Sequence, residues 1–351
     1  MMNTRQTISD RHLELEGISR RFGNVQALDG VSLAVERGAV VCLVGHSGCG
    51  KSSLLRIIAG IDWPDGGRVL LDGREISGPA GHVEPEDRNI GFMFQDYALF
   101  PHLNVTDNIL FGLKRVGRRA ARERCDEIIG RLGLNRLATR FPHMLSGGEQ
   151  QRVALARALA PQPEIMLMDE PFSNLDRELR NDIRTETIEL LQELGTTVIM
   201  VTHDPEEALS AGDMVVLMRG GRIIQSGAGA ELYERPSCPY AAEFFCSFNK
   251  VRTACRSGYA ETPLGRFAAP GFADGAQATV YIRPQCLRVN GDGHGVECTV
   301  VDCALIGEIE QMHIAVAALA EPLRIRSTDR SRLRKGDTAH VSVSPEQVLV
   351  F

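Results

Sequence analysis

The sequence predicts an α/β domain built on a mostly parallel sheet, followed by a small, mostly β domain. Three observations lead there. From Leu13 to Ser226, short apolar runs alternate with patterns of helical period. One of those runs passes through a glycine-rich loop straight into a helix. Beyond Pro236 and Pro239 the apolar period changes to two. The length, 351 residues, suits two domains.

In chain order, Ala39–Val44 (AVVCLV) reads as a buried strand. Lys51–Ala59 reads as a helix with Leu54, Leu55, Ile57 and Ile58 inward and Gly60 as its stop. Arg68–Leu71 and Glu75–Ile76 flank Asp72-Gly73, a hairpin signal. The stretch Asp107–Ala160 is mostly helical. Its basic run of Lys114, Arg115, Arg118, Arg119, Arg122 and Arg124 is read as a solvated helix face. Glu164–Met168 and Thr197–Val201 are further short buried strands. Between them a helix, Glu178–Leu194, turns Leu179, Ile183, Thr187, Leu190, Leu191 and Leu194 inward and stops at Gly195. In the last third, Ala278–Ile282 (ATVYI) and Ala339–Val343 (AHVSV) alternate apolar and polar residues between turns.

Composition excludes several classes. Lys plus Arg is 39 against 45 Asp plus Glu, a formal net charge of −6, which argues against a general nucleic-acid binder. Apolar residues at 43% and charged residues at 24% describe an ordered globular chain. No run approaches the roughly 18 apolar residues that span a bilayer, and MMNTRQTISDRHLELEG lacks a signal-peptide core. Nine cysteines, odd in number and without a Cys-x-x-Cys pair, point to a reduced chain in the cytosol.

The chemistry begins at Gly45-His46-Ser47-Gly48-Cys49-Gly50-Lys51-Ser52-Ser53. Placed between a strand and a helix, G-x-x-x-x-G-K-[ST] is a phosphate-binding loop. Glycines let backbone N–H groups turn around phosphate oxygens, and the helix N-terminus adds a positive dipole end. Lys51 is the residue to reach the β and γ phosphates, with the Ser52 hydroxyl on Mg²⁺. Ile165-Met166-Leu167-Met168-Asp169-Glu170 then ends an apolar strand in two carboxylates. Asp169 is the candidate Mg²⁺ ligand and Glu170 the candidate base for water attacking the γ-phosphate. Together these predict ATP hydrolysis.

Leu145-Ser146-Gly147-Gly148-Glu149-Gln150-Gln151-Arg152 is a second anion site by its physics. Ser146 with Glu149 forms a capping box, and the glycines bare N–H groups at the start of an Ala-rich helix. A homodimer gives each such site a triphosphate, held on the partner's loop. With these residues the chain resembles the ATP-binding cassette (ABC) ATPases. LSGGE is similar to their signature motif, and Gln95 falls where their Q-loop lies. Ser173-Asn174-Leu175-Asp176 is similar to the D-loop, His203 to the switch histidine, and Phe22 to the aromatic that stacks on adenine. The resemblance spans about residues 13–237. It implies that Gln95 senses Mg²⁺ and the attacking water, and that His203 contacts the γ-phosphate. It further implies that Ser146, Gly147, Gly148, Glu149 and Asp176 act across an ATP-sandwich dimer.

A single cassette without a membrane span implies two borrowed integral-membrane permease subunits, at the cytoplasmic face of the inner membrane, and a solute-binding protein beyond them. The apolar loop Tyr97-Ala98-Leu99-Phe100-Pro101-His102-Leu103 is the expected docking surface. No sustained heptads separate Lys51 from Ser146, which argues against the DNA-maintenance relatives of this family. The expected domains are 11–237, with a helical subdomain at about 96–160, and 243–351. The latter resembles the OB-like TOBE extension of importer ATPases through Ile282-Arg283-Pro284-Gln285, where Gln285 replaces the usual Glu. The expected class is an importer ATPase, with ferric iron preferred over polyamine, sulfate, phosphonate or thiamine. The competing class is a soluble nucleotide-driven switch. His294, Glu297, Cys298, Asp302 and Cys303 match no firm metal-ligand spacing and are read as turn and strand residues.

Overall fold

The computed structural model describes residues 11–290 and 293–351, apart from the side chains at 177–179 and 346. The first ten residues, and so most of the segment tested for a leader, lie outside that description. The chain divides into two compact units, the second running Tyr233–Phe351.

The first unit is organised by a six-stranded sheet. Its order is Arg222–Gly227, Met214–Arg219, Val40–Val44, Thr197–Val201, Ile165–Asp169, Ile90–Met93. All neighbours are parallel except the first pair. Val40–Val44, Ile165–Asp169 and Thr197–Val201 are buried at every residue, the continuous apolar run expected of strands covered on both faces. Four adjacent parallel strands therefore deliver their C-terminal ends to one edge. There the chain continues into the Gly45–Ser52 loop, Asp169-Glu170, Thr202-His203 and Gln95. Open parallel sheets bind ligands at this edge because loops diverge there and helix N-termini face it.

A second, antiparallel sheet contains Val25–Glu36, Arg11–Phe22, Gly66–Leu71, Arg74–Gly78 and Gly81–His82. The expected hairpin at Asp72-Gly73 forms, with Leu71 opposite Arg74 and both turn residues at positive φ, 50° and 73°. The helix Lys51–Ala59 buries Leu54, Leu55, Ile57 and Ile58 fully, each worth about 1.5–3 kcal/mol of apolar burial. Gly60 ends it at φ 80°. Arg88, which the sequence reading did not single out, closes that end. Its buried guanidinium donates to the carbonyls of Ile57, Ile58, Ile76 and Val83 at 2.7–3.0 Å, and burial pulls its pKa down to about 10. A guanidinium on terminal carbonyls satisfies orphan acceptors and opposes the negative end of the helix dipole.

The stretch read as mostly helical resolves into Val105–Phe111, Arg118–Arg131 and Gly147–Leu159, the last two joined through two short 3-10 turns. Lys114, Arg115, Arg118, Arg119 and Arg122 are exposed, and Arg119 pairs with Glu123 at 2.9 Å one turn on. The later helix runs Arg177–Glu193, with Ile183, Thr187 and Leu191 buried and Gly195 at φ 64° beyond its end. Leu194 departs from the expectation: it is 40% exposed, because it is already the C-cap residue and has left the inward stripe. Ile188 is buried in addition, and Leu179 falls among the undescribed side chains.

The second unit holds two five-stranded antiparallel sheets. One is Gly265–Ala268, Tyr259–Thr262, Asn249–Arg256, Gln277–Ile282 and Val348–Val350. The other is Leu287–Asn290, Thr338–Val343, Val296–Ile306, Ile309–Ala315 and Leu323–Ser327. Val280, Ile282, Val300, Ile314, Ile325, Ala339 and Val341 belong to one shared core, the inward half of the alternation. Arg283 is buried against the Tyr233 ring at 4.5 Å and donates to the carbonyls of Tyr233 and Gln347. Gln285 donates to the Tyr233 hydroxyl at 2.7 Å, a neutral bond that does not need the negative charge of a glutamate. All nine cysteines are free. No described helix is long and apolar enough to cross a membrane.

Candidate active site

The loop after Val40–Val44 owes its shape to glycine. Gly45, Gly48 and Gly50 have φ of 148°, 80° and 105°. A Cβ on Gly50 would sit 2.3 Å from the Ala27 carbonyl oxygen, so only glycine lets the chain turn into the helix there. Gly50 is also the N-cap and offers no side chain, which leaves the first-turn N–H groups to a ligand. Lys51 is buried, and its amine donates to the carbonyls of Gly45 at 2.7 Å and His46 at 3.2 Å, with the Cys49 sulfur 3.6 Å away. Its charge is thus held inside the loop and meets no carboxylate ion pair among the described residues. His46, Ser47 and Gly48 form the exposed rim, and Ser52 and Ser53 are half-buried.

The Ser52 hydroxyl donates to Asp169 Oδ1 at 3.0 Å, joining the loop to the strand Ile165–Asp169. Burial pushes the Asp169 carboxyl up, and the charge of Glu170 adds to that, while the Ser52 bond opposes it. A hydroxyl and a desolvated carboxylate 3.0 Å apart are hard oxygen donors that suit Mg²⁺.

Glu170 stands in the left-handed region at φ 48°, with its N–H on the Val201 carbonyl at 3.0 Å. Non-glycine residues reach that region at a cost of about 1–2 kcal/mol, and such positions concentrate at functional sites. Its Oε2 accepts the Gln95 amide at 3.0 Å and lies 3.2 Å from His203 Nδ1. Three residues from three strand ends therefore meet on one carboxylate oxygen. Asn174 donates to the Gln95 carbonyl at 3.1 Å, and the Ser173 hydroxyl to that of Glu170 at 2.9 Å. Beside them opens a cleft of about 490 Å³ lined by Arg56, Phe94, Gln95, Asp96, Asp169 and Asn174. Asn174 was named only within the D-loop-like run, and Arg56 was not named at all. Arg56, one turn after Ser52 on the same helix face, was legible by helical spacing.

The remaining predicted residues stand elsewhere. Ser146 and Glu149 form the capping box that their spacing predicts: the Glu149 carboxylate accepts the Ser146 N–H at 2.7 Å, which holds its pKa down. Gly147 lies against the Asn174 carbonyl, 3.6 Å from where a Cβ would be. Asp176 is the exposed N-cap of Arg177–Glu193 and makes no side-chain cap bond. Phe22 is 47% exposed, with the Arg20 guanidinium 4.7 Å from its ring centroid. In the loop read as an exposed docking surface, Tyr97 is instead 4% exposed. Arg157 binds the carbonyls of Tyr97 and Ala98 at 2.8 and 2.7 Å and pulls that part inward, so only Ala98, Pro101 and His102 are fully open.

In the second unit, Cys298 is buried, while Glu297 and Asp302 are exposed across the strand pleat. Among the described residues the one gathering of three metal-type ligands is His12, Asp72 and Glu164. Arg37 already brings a cation there, 2.6 and 2.7 Å from the Asp72 oxygens.

The model of the ABC transporter family matches residues 28–173, and that of the TOBE domain matches 280–351. The Fe(3+) ions import ATP-binding protein FbpC of Streptomyces coelicolor is 44% identical over 304 residues, 86% of each chain. The chain belongs to the ABC transporter ATP-binding proteins. The FbpC of Serratia marcescens is 40% identical to this ABC ATPase over 334 residues, 94% of this chain and 96% of the relative. The sulfate/thiosulfate import ATP-binding protein CysA 2 of Chromobacterium violaceum is 46% identical over 278 residues, 78% of this chain and 75% of its own. Among solved structures, a post-hydrolysis dimer of the cassette MJ0796 bound to ADP and Pi aligns with TM-score 0.54 and 33% identity, covering 62% of this chain and 98% of that one. ATP binding and hydrolysis are the activity of this family.

Proposed function

We propose that this chain is the ATP-hydrolysing subunit of a solute importer whose cargo is ferric iron. The observation that carries the ATPase part is the convergence of Gln95 and His203 on Glu170 Oε2, at 3.0 and 3.2 Å, beside the phosphate loop. The loop N–H groups and Lys51 hold the β and γ phosphates. Ser52, Asp169 and Gln95 hold Mg²⁺, which supplies charge neutralisation on the phosphates when bound. Glu170 accepts a proton from the attacking water, Gln95 orients that water, and His203 contacts the γ-phosphate. Phe22 stacks on adenine. Ser146, Gly147, Gly148, Glu149 and Asp176 complete the site of a second copy in a homodimer. That dimer docks under two permease subunits at the cytoplasmic face of the membrane, and a solute-binding protein feeds them. The unit up to Leu232 is the nucleotide-binding domain, and Tyr233–Phe351, which begins ten residues earlier than the expected 243, is a regulatory β domain.

The names of the Streptomyces and Serratia relatives support ferric iron. The Chromobacterium relative supports sulfate or thiosulfate as the second reading. Uptake of labelled ferric iron and labelled sulfate, in native cells carrying wild-type protein or Glu170→Gln, decides between them. Loss of iron uptake alone is expected. Loss of sulfate uptake alone overturns ferric iron as the cargo, and loss of neither overturns both of these cargoes.

A further inference from the structure

Glu207 is a buried carboxyl with no part in the mechanism above. It lies in the first turn of the helix Pro205–Ala211 and is 5% exposed. Its Oε2 accepts the Thr202 hydroxyl, while Oε1 has no partner. Burial pushes this carboxyl up, and the Thr202 bond and Arg184 offset that only in part. A side chain kept for stability alone would be apolar or fully paired, because an orphaned buried polar atom costs folding free energy.

What Glu207 holds is the turn that carries His203. Thr202 is tied on both sides: its N–H donates to the Leu43 carbonyl at 3.1 Å, and its hydroxyl accepts the Asp204 N–H at 3.0 Å. A hydroxyl has one hydrogen. By accepting that hydrogen, Glu207 leaves the lone pairs of Thr202 aimed at the Asp204 N–H. Asp204 in turn caps the helix, accepting the N–H groups of Glu206 at 2.9 Å and Glu207 at 3.3 Å. The loop is thereby closed on itself around His203. The His203 side chain is 58% exposed, and among the described residues its ring meets one partner, Glu170 Oε2, 3.2 Å from Nδ1, so its direction comes from its flanking backbone.

We infer that Glu207 is a positioning residue for His203, fixing the turn 202–204 through the Thr202 hydroxyl so that the imidazole faces Glu170. This rests on the reading of His203 as a γ-phosphate contact. It adds a buried relay, running Glu207 to Thr202 to His203, that sets the switch residue from behind. An acceptor oxygen is what the relay needs, so glutamine serves and leucine does not. On the other side, a serine hydroxyl serves and valine does not.

The test is steady-state ATPase kinetics on the full chain. Glu207→Leu and Thr202→Val should each lower kcat about tenfold, the scale of a misaligned catalytic group, with KM for ATP unchanged within twofold. Glu207→Gln and Thr202→Ser should stay within about twofold of wild type in kcat. In a His203→Ala background, Glu207→Leu should cause no further loss, since it acts through the residue already removed. Wild-type kcat in Glu207→Leu, or a multiplicative loss in the His203→Ala background, overturns the relay. Where Glu207→Leu fails to fold, the isosteric Thr202→Val carries the same test. A wild-type rate in His203→Ala itself would overturn the role of His203 and the relay with it, which sets that failure apart from failure of the relay alone.

Discussion

The strand Ile165–Asp169 carries carboxylates and a histidine at each end, and the two ends are wired differently. At its start, Glu164 and Asp72 flank the buried His12, and Arg37 lies 2.6 Å from Asp72 and 3.9 Å from Glu164, with Asn89 on Glu164 at 3.1 Å. At its finish, Asp169 and Glu170 receive a serine hydroxyl, a glutamine amide and His203, and among the described residues no lysine or arginine forms an ion pair with either. Arg56 and Lys51 both lower the Asp169 pKa through their charge without pairing with it, and Lys51 is turned onto loop carbonyls. The residue types are similar, so composition does not separate a structural cluster from a reactive one. The separation is electrostatic. One end brings its own counter-charge, whereas the other keeps its negative charge beside a lysine and an uncapped helix N-terminus that suit a metal-bound anion.

The largest effect that tests this contrast is Glu170→Gln. Turnover should fall at least about a hundredfold, as for loss of a general base, while ATP still binds and holds two copies together in size-exclusion chromatography. Turnover at the wild-type rate would break the assignment. Lys51→Ala comes next, removing charge-assisted bonds worth about 1.5–3 kcal/mol, so ATP affinity by calorimetry should drop roughly tenfold to a hundredfold. Arg37→Ala probes the other end. It should leave kcat within twofold but cost about 0.2–1 kcal/mol in urea unfolding, the scale of an exposed ion pair. A large fall in kcat there would erase the distinction between the ends.

The smallest effect concerns Glu207. Because burial raises its carboxyl in the folded chain, the native state holds that proton more tightly than the unfolded state does. Stability from this group is therefore full below its unfolded value and declines as pH rises through the raised one. Glu207→Gln lacks the titration, so its stability relative to wild type should grow as pH rises from below the ordinary glutamate value to well above it. A difference that stays constant over that rise would mean that Glu207 is not shifted.

How much was legible depended on sequence distance. The phosphate loop, the capping box of Ser146 and Glu149, the two-residue turn at Asp72-Gly73 and the inward face of Lys51–Ala59 were all readable, because each is fixed within a few residues by backbone geometry and helical or strand period. Leu194 was misread by one position, where the helix had already ended. Tyr97 was misread because the arginine that draws its backbone inward, Arg157, lies on a helix 60 residues further along. Arg88 left no local signal for a related reason: three of its four acceptors come from a helix about 30 residues earlier and from Ile76, on a strand 12 residues before it.

The sequence by itself determined the local devices: which glycines bend the loop, which serine caps a helix, which strand ends in two carboxylates. Tertiary structure decided what those devices face. Gln95 and Glu170 stand 75 residues apart in the chain, and they share a hydrogen bond only because parallel strands 90–93 and 165–169 are neighbours. His203 joins them because Thr197–Val201 is the next strand over. Local geometry follows from residue types a few positions apart, whereas the charge left uncompensated at a site is a property of strand order. Strand order was set by burying three mostly apolar strands at every residue in one sheet.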